Sequence, residues 1–331
     1  RGVLCCFRTQ PDFKMTGRRF DASGDDFTVQ DLEYADDAGL PFCSRADVEE
    51  QAPQLIAHFS EWGMDIHFGV LDPLVHSGLF DSSVLEPVKG SKTEVLFCSK
   101  PHHMYSNRST LDGVDLSHIL LPNYGFLPVV AQFPYLGDIV TRHGGDNAAV
   151  DARLVSGSRA FGALRGCIFS SSAVSHAAKK AVYEAIVLSI SLYGCESWSL
   201  TEVLLNRLRR VHAQHLRAMC RVTRRHVWEH HISTHELGQR LGLDTIDMSI
   251  ARRQLRWLGH VSRMEYESRL PRRMLSSWVS ERRAKGAPRM TYGRSIFKVL
   301  AKFSIDPSRW HELASDRAAW RGAGGGGGGW A

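Results

Sequence analysis

Two neighbouring carboxylates resist burial, because each makes the other harder to ionise. The run Tyr34-Ala35-Asp36-Asp37 carries such a pair, with the apolar Leu32 before it and Leu40 after it. On a strand the two side chains would point to opposite faces, so a tight hairpin turn suits them better. There their oxygens can ligate a hard divalent cation such as Mg²⁺. A solvated Asp-Asp turn is the plainer reading of the same four residues, and the tetrapeptide by itself favours it.

The other residues able to do chemistry divide by charge. Residues 1–148 hold 11 Lys and Arg against 21 Asp and Glu, whereas residues 149–331 hold 30 against 14. A basic second half suits phosphate contact, where Arg and Lys gain affinity by releasing counterions. The candidates for that contact are Arg207, Arg210, Arg217 and Arg221 on one expected helix and Arg252 and Arg256 on another. His226 and His230 have the spacing of ligands on one helix face, and His231 and His235 repeat it. No Glu follows His226 as a zinc hydrolase requires, and no Cys pair accompanies them, so a metal site is not expected there. The seven cysteines lack paired finger spacing and read as free thiols in a reducing compartment, with Cys195 and Cys220 as packing residues. No apolar run is long enough to cross a bilayer, and no membrane partner is expected.

The elements that must position these groups are of two kinds. The first half reads as short strands with one helix. Phe27 to Leu32 and Gly39 to Cys43 would flank the Asp turn. Ala46 to Gly63 would be a helix with Leu55, Phe59 and Trp62 on its apolar face. Val95 to Cys98, Val129-Val130 and Phe133 to Val140 would add strands. From about Asn147 the pattern turns helical. Val182, Ile186, Ile190 and Tyr193 would make an apolar stripe ending at Gly194. Thr201 would cap a helix whose stripe is Leu204, Leu208, Val211, His215, Met219 and Val222. Thr245 to Met264 would bury Ala251, Leu255 and Leu258, and a last helix would span Tyr292 to Phe303. Trp198 and Trp257 read as core anchors. The expected fold class is therefore α+β: a strand-and-helix region over 1–148, a helical region over 149–270, and a basic extension over 271–331 with a flexible Gly-rich end.

Several further motifs follow the Asp pair in a fixed order. They include Lys92-Thr93-Glu94-Val95-Leu96, Phe133-Pro134-Tyr135-Leu136-Gly137, Leu192-Tyr193-Gly194-Cys195-Glu196-Ser197-Trp198-Ser199-Leu200-Thr201 and Arg253-Gln254-Leu255-Arg256-Trp257-Leu258-Gly259-His260. In this order they resemble the C-terminal part of a non-LTR (LINE-type) retrotransposon reverse transcriptase, of the endonuclease-reverse transcriptase family. The resemblance covers nearly the whole chain. It implies a partial polymerase palm followed by a helical thumb-like region. Asp36 and Asp37 would be the catalytic metal ligands for Mg²⁺, and Tyr34 would pack beneath the primer terminus. Lys92 would lie near the triphosphate, although a surface lysine is an equal reading. Phe133, Tyr135, Leu136 and Gly137 would form the primer-grip hairpin, and the partners would be an RNA template and a DNA primer or target.

The departures from the family bear on activity. The family's palm has a further metal-binding Asp on an earlier strand, and the stretch before Tyr34 is too short for that strand, its helix and the fingers. Asp21, Asp25 and Asp26 lie in a Gly- and Ser-containing context that does not read as a buried strand. Residues 70–90 look like an insertion, and the initial Arg fits a fragment. The expectation is a reverse transcriptase fragment inactive by itself, with a nuclear location for target-primed integration. The alternatives are a non-catalytic nucleic-acid-binding module using the basic half, and a non-functional retroelement fossil.

Overall fold

The computed structural model describes residues 3–9, 25–29, 32–34, 37–42, 44–69, 91–98, 110–111, 114–115, 118–121, 123–142, 144–279 and 290–324. Asp36, the expected insertion and the glycine run after Gly324 lie outside them. The fold is α+β. It divides into two units, one drawn chiefly from residues 26–144 and one chiefly from residues 145–280 and 285–331.

The chain opens with strands β1 (Val3–Thr9) and β2 (Asp25–Val29). Asp25 and Asp26 thus open a strand that their context did not suggest, and Asp25 is exposed. The Asp turn is flanked by β3 (Leu32–Tyr34) and β4 (Asp37–Gly39), shorter than expected and shifted toward the turn, so that Asp37 already belongs to a strand. Helix α1 (Arg45–Glu61) begins where the Ser44 hydroxyl accepts the Asp47 amide. This satisfies one of the donors that a helix start leaves open. After it come β5 (Val95–Leu96), the small pair β6 (Thr110–Leu111) and β7 (Val114–Asp115), then β8 (His118–Leu121) and β9 (Gly125–Val130). Strand β9 is the centre of a mixed three-stranded sheet, parallel to β5 and antiparallel to β8. Val48, Ala52 and Ile56 of α1 form one core with Ile119, Leu121 and Leu127 of that sheet. The buried face of α1 is therefore not the expected one. Leu55 and Phe59 are only half-buried and Trp62 is 72% exposed, because the sheet meets the side carrying the smaller residues. A last hairpin, β10 (Gln132–Tyr135) and β11 (Asp138–Thr141), completes the unit.

The second unit is helical. Helix α2 (Asn147–Leu164) runs into a wide π turn, Arg165–Phe169. Helix α3 (His176–Val182) continues through a π segment, Tyr183–Leu188, into α4 (Ser189–Ser191). The expected stripe on this rod is displaced. The buried residues are Tyr183, Val187, Leu188, Ser191 and Leu192, while Ile186 and Tyr193 are exposed. Tyr183 is the anchor, its ring meeting Phe161 and Phe169 edge-on.

Thr201 caps α5 (Glu202–Met219) as expected, and His212 takes the buried place assigned to Val211. Short helices α6 (Arg224–Glu229) and α7 (Thr234–Leu241) follow, then α8 (Ile246–Ser262), capped by Thr245. Helix α9 (Leu270–Leu275) leads to β12 (Ser277–Val279), which pairs antiparallel with Phe7–Thr9 of β1. Helices α10 (Tyr292–Lys302), α11 (Trp310–Ser315) and α12 (Arg317–Ala323) close the chain.

Helix α8 has two buried sides. Ile246 and Ile250 join the core of α2 to α7, whereas Ala251, Leu255 and Leu258 join Ile296, Leu300, Trp310 and Trp320. Trp198 is fully buried as expected, but Trp257 is 36% exposed. Its neighbours Leu255 and Leu258 take the inward positions, and a helix turns Trp257 away from them. Gly259 is where Trp320 lies against the α8 backbone, with the indole donating to the Leu255 carbonyl. A methyl group at Gly259 would lie too close to the Trp320 Nε1 for any real contact. Gly259→Ala is expected to cost about 2 kcal/mol by overpacking, read as a lower urea midpoint at unchanged slope.

Candidate functional site

Two hairpins carry the catalytic candidates of the first unit. In the first, Leu32, Glu33 and Tyr34 pair with Gly39, Ala38 and Asp37, so Tyr34 and Asp37 close the turn. Asp37 is exposed and Tyr34 is 66% exposed. Asp36, between them in sequence, lies outside the described residues. In the second hairpin Tyr135 pairs with Asp138 across Leu136 and Gly137. Both turn residues are left-handed, at φ 48 and 76. This is the backbone of a type I′ turn, whose twist matches that of the strands. Glycine adopts it freely, but a leucine there carries strain.

The two hairpins meet although their sequences lie far apart. The Tyr135 hydroxyl donates to the Leu32 carbonyl at 2.7 Å. Gly39 faces the same ring, with room for contact at the Tyr135 Cζ. Phe133 packs edge-on to Tyr135. Lys92 is exposed and held elsewhere, its amide donating to His67 Nδ1 at 3.0 Å. Among the described residues no bond joins the Lys92 side chain to either hairpin. No group of three His, Cys, Asp or Glu among them could hold a metal ion. Asp37 is a single exposed carboxylate, and one carboxylate does not make a Mg²⁺ site.

The arginines of the second unit fall into different environments. Arg207 grips both oxygens of Asp151 at 3.0 Å, and Arg252 pairs with Asp244. Arg210, Arg221 and Arg256 are exposed, and Arg217 is half-buried. Sequence reasoning passed over Arg209, which makes a two-pronged bond to Asp247. That bond holds the Asp247 carboxyl below its usual range, and Lys302 adds to the effect.

Sequence reasoning also missed a buried polar cluster. The Tyr183 hydroxyl lies 2.9 Å from His212 Nδ1 and 3.2 Å from His215 Nδ1. A hydroxyl has one proton to give, so one imidazole accepts it and the other donates to the oxygen. His215 is also stacked on Phe161 at 4.0 Å. A cavity of about 220 Å³ lies beside the cluster, lined by Arg209, His212, Thr234, Leu243 and Asp247 among others. The available signal was the i, i+3 spacing of His212 and His215 within an apolar stripe.

No protein-family model, curated protein or solved structure matches the chain.

Burial holds the His212 and His215 imidazoles at a pKa of about 4, against an ordinary 6.5. Between those values the unfolded chain binds protons that the folded chain refuses, so stability falls as pH drops through the window. The loss is on the order of 2–3 kcal/mol for each imidazole. Thermal melts are expected to shift down from pH 6.5 to pH 4, and His212→Gln to flatten that dependence.

Proposed function

We propose that the chain is the C-terminal part of a non-LTR retrotransposon reverse transcriptase, an RNA-directed DNA polymerase. Residues 1–148 are the end of its palm, 149–270 a thumb-like helical region and 271–331 a basic extension. The observation that most supports this reading is the bond from Tyr135 to Leu32, which ties together two hairpins about a hundred positions apart in sequence. A polymerase needs those two turns adjacent, one to hold metal at the primer 3′-hydroxyl and one to grip the primer phosphates, because the reacting groups must be held in line.

In an intact enzyme Asp36 and Asp37, with a carboxylate from an earlier strand, would hold Mg²⁺. The metal supplies charge neutralisation at the triphosphate and activation of the attacking hydroxyl. Tyr34 is exposed beside Asp37, where a primer terminus could rest on it. Lys92 is exposed and could reach a triphosphate. The left-handed turn at Leu136-Gly137 is exposed, and Gly137, lacking a side chain, would let phosphates approach its backbone closely. Template RNA and primer DNA are the partners, and the nucleus is the location that target-primed synthesis requires.

Residues 1–331 alone are expected not to extend a primer on an RNA template with Mg²⁺ or Mn²⁺. Joined to an upstream palm segment that supplies the earlier carboxylate, the chain should extend it, and Asp36→Asn should abolish the product. Asp36-dependent synthesis by residues 1–331 alone would overturn the fragment reading. No synthesis by the joined protein would overturn the polymerase reading.

A second reading is favoured by the charge division: the basic half serves as a nucleic-acid-binding module without catalysis. Filter binding across a salt series should then show affinity falling steeply with ionic strength, and salt-insensitive binding would count against it.

A further inference from the structure

The end of α5 and the start of α6 bring together arginines that have no carboxylate partner among the described residues. Arg207, Arg209 and Arg252 each have a carboxylate partner. Among the described residues Arg217, Arg221 and Arg224 have none. Burial, and then the charge of Arg224, push the Arg217 pKa down. Burial and then Arg221 do the same to Lys179, whose ammonium donates to the Met219 carbonyl at the end of α5.

Arg224 is followed one helical turn later by Trp228, so the two share a face of α6. Trp228 is 76% exposed, more than any other large apolar side chain among the described residues. Val227 of the helix and Ile232 of the turn after it pack against the core. Arg225 and Glu229 pair with each other and leave the Arg224–Trp228 face open.

The backbone adds a second observation. Just past the C-caps of α5 and α6, Arg221 and His231 are left-handed, at φ 56 and 51. In each case the next amide reaches back to close the helix, Val222 to the Arg217 carbonyl and Ile232 to the Val227 carbonyl, both at 3.0 Å. That closure favours glycine at the left-handed position. The chain places glycine at the left-handed positions Gly63, Gly194 and Gly242, and serine at Ser304 after α10, where the Ile305 amide closes on the Leu300 carbonyl in the same way. At this edge it carries an arginine and a histidine instead, with the strain that a β-carbon brings. Attraction of cations to a helix C-terminus accounts for part of the charge, but not for a bare tryptophan beside it.

We propose that Arg217, Arg221, Arg224 and Trp228 bind single-stranded nucleic acid, the arginines on phosphates and the Trp228 indole stacked on a base. The proposal rests on the nucleic-acid reading of the basic half and narrows it to unpaired strands. A duplex hides the faces of its bases, so an exposed indole gains only from a strand whose bases can splay out.

The test is fluorescence anisotropy with the full 331-residue chain. The probes are labelled oligouridylate and oligothymidylate of about 12 nucleotides, a duplex of that length, and a polyglutamate peptide of equal charge. Both single strands should bind more tightly than the duplex or the peptide, and their ratio separates RNA from DNA preference. Trp228→Ala should weaken single-strand binding about ten-fold, and Trp228→Phe should restore most of it. Arg221→Gly should melt no lower than the parent chain, because it relieves strain. It should still bind more weakly, with a salt slope smaller by about one. Equal binding of duplex or polyglutamate overturns the proposal, as does parental affinity in both Trp228→Ala and Arg221→Gly. If nucleic acid binds but the variants change nothing, the site falls and the broader reading stands. If no nucleic acid binds at any salt concentration, both fall.

Discussion

The second unit is organised by the need to satisfy one buried hydroxyl. Tyr183 is almost wholly enclosed, and an unpaired hydroxyl there would cost about 1–3 kcal/mol. Two imidazoles from α5 meet it, so α5 must lie against the α3–α4 rod in one register. Phe161 and Phe169 then close on the ring from α2 and its π turn. With those elements fixed, α8 can join this core through Ile246 and Ile250 and offer Ala251, Leu255 and Leu258 to the helices after it. The same burial that fixes the helices keeps both imidazoles neutral at pH 7.

Charge is distributed around this core unevenly. Asp247 at the start of α8 collects Arg209 and Lys302, and Glu236 at the start of α7 reaches back to the Ser233 amide in a capping box. Both acids sit where a helix N-terminus favours them. Asp151 and Asp244 take Arg207 and Arg252. Asp151 and Asp247 thus tie separate helices together, whereas Glu236 caps its own helix. Among the described residues, cations without a carboxylate partner gather at the end of α5 and on α6, and again where Arg263 meets Arg317 and Arg321.

The first unit shows a different economy. Its short strands cannot bury much apolar surface, and one helix over a three-stranded sheet supplies the core. The two candidate hairpins stand apart from that core, joined by a tyrosine hydroxyl rather than by apolar packing. Their exposure suits surfaces that receive a ligand, since groups held rigid by burial could not be reached by one.

Much of the local structure could be read from the sequence. The caps at Ser44, Thr201 and Thr245 mark three helix starts, and Gly194 marks an end, because each follows from chemistry within a few residues. The order of the motifs was likewise open to reading, as was the charge difference between the halves. Which face of a helix is buried was less so. Val48, Ala52 and Ile56 displaced the larger Leu55, Phe59 and Trp62, and Leu255 and Leu258 left Trp257 in water. Side-chain size did not decide these cases, because the partner surface did.

The sequence by itself determined the α+β class, the starts of the longer helices and the presence of two turns rich in candidate residues. Only the tertiary structure decided that those turns touch, that Arg207 and Arg252 are tied to carboxylates while Arg221 and Arg224 have none among the described residues, and that Tyr183 binds two histidines. The reason is physical. Capping and periodicity act between residues a few positions apart, whereas hydrogen bonds and ion pairs across a hundred or fifty positions exist only once packing has brought their backbones together.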